Sequence, residues 1–179
     1  MSALSRPPRW TSRRFPGATP IELAPNIWIR LAGTAARVNA IVELAMATNS
    51  GLNALPSGWS IAEHIGHLGD LEPLELARLD DYDAGAPVMR SADMTNRATT
   101  EAGHDQHSLK DLALRFATRR AVLVRRTSTY TPEQWARATL HPRLQTPMRL
   151  IDFMLFVAEH DDHHLAEIAW LLEQSGRES

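Results

Sequence analysis

Near its C-terminus the chain reads His160-Asp161-Asp162-His163-His164 within a long apolar run. On an α-helix, residues four apart stack on one face, so His160 and His164 present two imidazoles side by side. Phe153, Val157, Ile168 and Leu171 continue that face and aim both rings at the interior. Two inward imidazoles one turn apart form half of a transition-metal site. One inward histidine would read as an ordinary core residue, but a pair at this spacing brings the metal reading level with that one. His163 is offset by one position and reads as a flank residue, at the surface or supporting a ligand. Asp161 and Asp162 read as solvated, or as carboxylates that fix an imidazole's tautomer from behind.

The pattern His160-Asp161-x-x-His164 also resembles the zinc-protease motif H-E-x-x-H with Asp in place of the Glu base. Asp is one methylene shorter and would hold a base farther from the reacting water. Only fifteen residues follow His164, too few for a third ligand well downstream. A third ligand is therefore expected from another helix, with His64, His67, His104, His107 and His141 available. His64 and His67 sit three apart, flanking one apolar stripe. Position favours His67, beside Leu68 and Leu71, and leaves His64 open.

Helices must carry these residues. From Pro20, a good first-turn residue, a 3.6-residue pattern runs to about Ala47 through Ile27, Leu31, Ala35, Val38, Val42 and Ala45. Asn49-Ser50-Gly51-Leu52-Asn53 breaks it, and Pro56-Ser57-Gly58 extends the loop. Ser60-Ile61-Ala62-Glu63 is a capping box that starts a second helix, with Pro73 expected to kink it. Residues 83–107 have weak periodicity and read as a crossover or an active-site wall. A third helix is expected from Ser108 to about Thr127, then a short turn at Thr131–Trp135. Thr146-Pro147 is expected to cap a last helix ending near Gln174, with Gly176 terminating it. No strand alternation stands out. Trp59 reads as a hydrophobic staple before the second helix, or as a pocket wall. Trp28, Trp135, Trp170, Phe153 and Phe156 read as packing residues. Four long helices predict an all-α bundle with a long crossover. Residues 1–19, rich in Pro, Ser and Arg, form an irregular arm, and 20–176 form the bundle domain.

Composition narrows the function. The chain has 179 residues and a formal net charge of −2, enough for one domain with an ordinary core. Outside the first fourteen residues there is no basic block, so nothing points to nucleic acid. No run is long and apolar enough for a membrane span, and the arginine-rich start lacks the apolar region of a secretory signal. A cytoplasmic protein is expected. There is no cysteine, so a metal must be held by His and carboxylates, and no protein thiol can act as nucleophile.

The stretch Gly58-Trp59-Ser60-Ile61-Ala62-Glu63-His64-Ile65-Gly66-His67-Leu68-Gly69-Asp70 resembles the first metal motif of the DinB/YfiT-like superfamily. That motif is a Trp, a helix start, a His followed by Leu, and a nearby Asp. His160-Asp161-Asp162-His163-His164-Leu165-Ala166-Glu167-Ile168 resembles the second, and the His141-Pro142 to Pro147 passage fits as well. The likeness spans about residues 20–174. It implies an up-down-down-up four-helix bundle with a three-histidine divalent metal site at His67, His160 and His164, and puts His64 at a variable position. Glu167 departs from the Gln or His that relatives often carry there. The resemblance implies one divalent transition metal, zinc or nickel, with a coordination position left open. At that position a substrate thiol or a water could be ionised. The leading expectation is transfer of a low-molecular-weight thiol to an electrophile, an S-transferase in detoxification, as in bacillithiol and mycothiol transferases. A metal-dependent hydrolase is the alternative, and a non-catalytic metal-binding bundle the third reading. The partners implied are a small-molecule substrate and a thiol cosubstrate, held in a groove that Asp93, Asn96 and arginines could line. A twofold homodimer is expected from the apolar excess of the first and third helices and from the dimers common among relatives. No residue is assigned to the chemical step itself.

Overall fold

The first long helix buries one face at three- and four-residue spacing. In α1 (Ala24–Thr48) that face is Ile27, Leu31, Thr34, Val38, Val42 and Ala45. The computed structural model describes residues 5–15, 17–48 and 58–175, so the expected break at 49–53, the loop residues Pro56 and Ser57, and the terminator Gly176 lie outside the described residues. α2 (Ile61–Asp83) opens on the expected capping box. The Glu63 amide donates to Ser60 Oγ at 3.0 Å and the Ser60 amide to Glu63 Oε2 at 2.8 Å. α3 (Arg97–Glu101) lies in the crossover. α4 (Leu109–Thr127) is capped by Ser108, α5 (Pro132–Ala136) by a Thr131–Gln134 box, and α6 is Leu150–Ser175.

Two apolar clusters fix the directions. One joins Leu31 of α1, Leu79 of α2, Leu123 of α4 and Phe153 of α6. The other joins Val42, Ile65, Leu112 and Ile168 of the same four helices. α1 and α6 therefore run from the first cluster to the second, and α2 and α4 run back. This is the up-down-down-up order. α1 packs on α4 and α6, and α2 packs on the same two, so consecutive long helices α1 and α2 stand on a diagonal.

Three features differ from the sequence reading or add to it. β1 (Ala138–His141) and β2 (Thr146–Arg149) form an antiparallel hairpin. Thr146-Pro147 is thus strand rather than helix cap, and α6 starts only at Leu150. Pro147 is tolerated because a two-stranded ladder leaves its missing N–H on an open edge. Second, α2 continues as one helix through Pro73. The absent amide frees the Gly69 carbonyl, which accepts from Arg119 Nη1 at 2.7 Å. Third, Asp161 is buried rather than solvated. Arg120, on α4, is 2% exposed and donates from Nε to Glu72 at 2.6 Å and from both Nη atoms to Asp161, Nη2 at 3.0 Å. Thr34 donates to Asp161 at 2.9 Å. Along each helix these residues fall between the two apolar clusters, so a polar layer crosses the bundle. Asp162 is tied on the outside by Arg30 and Arg37 of α1.

Candidate metal centre

His67 of α2 and His160 and His164 of α6 meet in this layer. One ring nitrogen from each lies within 4.8 Å of the others, and all three residues are buried. The Nε2 atoms of His160 and His164 are 3.1 Å apart. Two nitrogens bound to one zinc-like ion at about 2.0–2.1 Å sit roughly 3.3 Å apart in a tetrahedron, so the spacing fits a shared cation.

The proton positions fit as well. His67 Nδ1 is 2.9 Å from Thr99 Oγ1, and Thr99 in turn donates to Asp70 Oδ2 at 3.3 Å. With its proton given to the carboxylate, the Thr99 hydroxyl accepts from His67 Nδ1–H. The lone pair of His67 is then on Nε2. His164 Nδ1 is 2.8 Å from His64 Nδ1. Placing the shared proton on His164 frees its Nε2 lone pair toward His160. Burial holds His64 down to about 3 and His67 down to about 4, and drives His160 and His164 well below the ordinary imidazole range, with neighbouring imidazoles adding to the effect. At neutral pH all four rings are uncharged, as metal ligands must be.

The crossover supports the cluster from behind. Asp70 also accepts from His104 Nε2 at 2.8 Å. The His104 ring lies flat on Gly66, where any Cβ would overlap it, so glycine is required at that position.

A family model of the DinB superfamily matches residues 7–168 of this chain. The chain belongs to the DinB superfamily. The solved structure of YfiT from Bacillus subtilis, a probable metal-dependent hydrolase with an unusual four-helix bundle topology, is 18% identical. The match covers 92% of this chain and 94% of that chain with a TM-score of 0.75. No curated protein matches the chain.

In this DinB chain the cluster opens on a cavity of about 730 Å³. Trp59 forms one wall, 4.8 Å between ring centres from His67 and stacked at 5.9 Å on His164. It also meets His64 at 5.6 Å, the staple position, so it serves both expected roles. Asp93 and Asn96 line the cavity, as the groove expectation had them. Phe156 lines it too, rather than lying wholly in the core. His163 is 9% exposed and lines the cavity beside His164, so it is not a surface residue. His107 is exposed and apart from the site, and His141 lines the cavity beside Phe156, 6.2 Å between ring centres.

The irregular arm closes one side. Trp10 packs edge-on to His160 and Phe156, each at 4.9 Å. Arg6 Nε donates to Glu167 at 3.0 Å and its guanidinium lies over Trp170. That contact gives Glu167 a role in this chain. Thr99, Trp10, Arg120 and Arg78 escaped the sequence reading. The residues around Thr99 lack periodicity, and an aromatic within a Pro/Arg-rich arm carries no positional signal.

Proposed function

We propose that this DinB protein is a divalent-metal-dependent enzyme acting on a small molecule, with His67, His160 and His164 as the ligands. The observation that carries the reading is the convergence of three neutral, buried imidazole nitrogens in the wall of a large cavity. Three ligands leave a position open, which separates a catalytic site from a structural one. A divalent ion there supplies Lewis-acid chemistry, lowering the pKa of a water or thiol at that position.

The chain's own groups do the rest. Thr99 and Asp70 hold the His67 ring, His64 holds His164, and Trp10 and Trp59 exclude bulk water from two sides. Hydrolysis is the first reading, supported by the likeness to YfiT. Thiol transfer is the second, favoured by a cavity with room for a cosubstrate beside the histidines in a chain without cysteine. Zinc and nickel both suit imidazole ligands.

A zinc or nickel titration followed by ester, amide and thiol-conjugation assays, with and without chelator, tests the proposal. Chelator-sensitive hydrolysis supports the first reading and chelator-sensitive conjugation the second. A protein that binds neither metal overturns both.

The same proposal includes a cytoplasmic location, a bundle domain over 20–176, and a twofold homodimer. Ile29 and Leu44 of α1 and Leu114 and Val122 of α4 are exposed on helices that pack side by side, and twofold closure is the commonest assembly. A monomer mass by light scattering would remove the dimer. No described helix is long and apolar enough to cross a membrane.

A further inference from the structure

The end of the cavity away from the histidines holds Arg78 of α2. Its side chain is 5% exposed. The guanidinium lies over the Phe153 ring at 5.4 Å, and Nε donates to the Arg90 carbonyl at 2.9 Å. Those contacts fix the plane of the group and leave both Nη atoms unused. Among the described residues no carboxylate comes within 4.0 Å of it. Asp81 is engaged by the Arg90 amide at 2.8 Å and by Arg90 Nε at 3.1 Å. Glu75, one turn earlier on α2, is pushed well above the carboxylate range by burial and by Glu72. It stands 3.7 Å from Arg120 Nη2 and makes no ion pair with Arg78. A buried guanidinium without a counterion is costly, and burial pulls Arg78 below its ordinary value.

His141, at the end of β1, lines the same space. Its Nδ1 accepts from the amides of Arg143 and Leu144, both at 3.2 Å. The ring proton is therefore on Nε2. Burial, with Arg78 and Arg143 nearby, holds the ring at about 4, so it is a neutral N–H donor at pH 7. Arg143 stands exposed at the mouth. On the helices between Arg78 and the histidines, Leu71, Leu74 and Val157 line the cavity, with Glu75 beside them. Arg78 sits at the level of Phe153, and His160 is two turns further along α6. Seven residues of helix span about 10 Å.

We propose that Arg78 and His141 form a carboxylate subsite, and that the substrate is a small organic acid with an apolar middle, anchored there about 10 Å from the histidine cluster. The planar fork of two free Nη groups matches a carboxylate bidentately, and the His141 N–H offers a third donor. The inference rests on the enzyme reading above only in calling the bound acid a substrate.

Calorimetry on chelator-treated protein separates the two, with octanoate and octanamide as probes. Octanoate is expected to bind at least about tenfold more tightly, the worth of one charge-assisted hydrogen-bonded pair. Arg78→Met should abolish that preference and Arg78→Lys should keep only part of it. His160→Ala, which loses the metal, should keep it whole. In the unaltered protein, octanoate should shift the Arg78 Nε–H resonance and octanamide should not, which decides the matter if Arg78→Met fails to fold. Equal binding of the two probes, an unmoved Arg78 resonance, or a preference that survives in Arg78→Met overturns the subsite. Octanoate selectivity in a protein that binds neither zinc nor nickel would instead sink the metal reading and leave the subsite standing.

Discussion

Two groups of buried polar side chains share the middle layer of the bundle, and they balance their charges in opposite ways. Around Arg120, donors and acceptors end mainly on one another. Thr34, Glu72, Arg120 and Asp161 come one from each long helix, so the group clamps all four together and faces no ligand. Around His160 the balance is reversed. Neutral rings bring lone pairs toward each other, the other nitrogens of His67 and His164 are tied up by Thr99 and His64, and the group opens on the cavity. A closed polar cluster holds helices, whereas an open one with surplus acceptors calls for a cation.

Removing an acceptor from the open cluster should have the largest effect. His160→Ala is expected to lower zinc affinity by more than about a thousandfold, roughly 4 kcal/mol, while His163→Ala stays within a few-fold. Calorimetric titration of both decides it, and the reverse ranking would refute the ligand set. The closed cluster should answer in stability. Arg120→Met leaves Asp161 and Glu72 buried and unpaired, and is expected to cost about 3–5 kcal/mol in urea unfolding of the metal-free protein. A loss under about 1 kcal/mol would show that this layer does not clamp the helices.

Acid should act chiefly on the open cluster. His64 and His67 titrate at about 3 and about 4 in the folded protein, below the unfolded value of about 6.5. The folded state binds fewer protons, so stability is full above about pH 6.5 and falls as pH drops toward the folded values. Each ring contributes up to about 1.4 kcal/mol per pH unit. Thermal melts of metal-free protein between about pH 7 and pH 5 should show the decline, and a flat profile would contradict the neutral-ring assignment. The smallest change is expected from Thr99→Val, which removes the hydroxyl behind His67. Zinc affinity should fall about 10–100-fold with urea stability nearly unchanged. Unchanged affinity would mean that Thr99 does not orient the ring.

The open cluster was legible in the sequence and the closed one was not. His160 and His164 stand out because their i, i+4 spacing falls on an apolar face. Arg120 lies in Arg119-Arg120 on a helix with many arginines, where a buried charge looks the same as a solvated one. The long helices were legible from periodicity and from the Ser60–Glu63 box. The β1–β2 hairpin was not, since four-residue strands carry too little alternation, and Thr146-Pro147 imitates a helix start. Arg78 escaped because nothing local distinguishes an arginine that lacks a counterion. That property belongs to Asp81, which is taken up by Arg90, and to Glu75, which stands beside Arg120.

Pro73 falls between His67 and Arg78, so the rung missing from α2 lies midway between the two chemistries of the cavity. The Gly69 carbonyl is held across the gap by a side chain of α4 instead of by its own helix. The span from the histidines to the guanidinium is thus measured by two helices joined at Arg119, and a change at that surface arginine could retune the length of molecule the protein accepts without touching a residue that meets it.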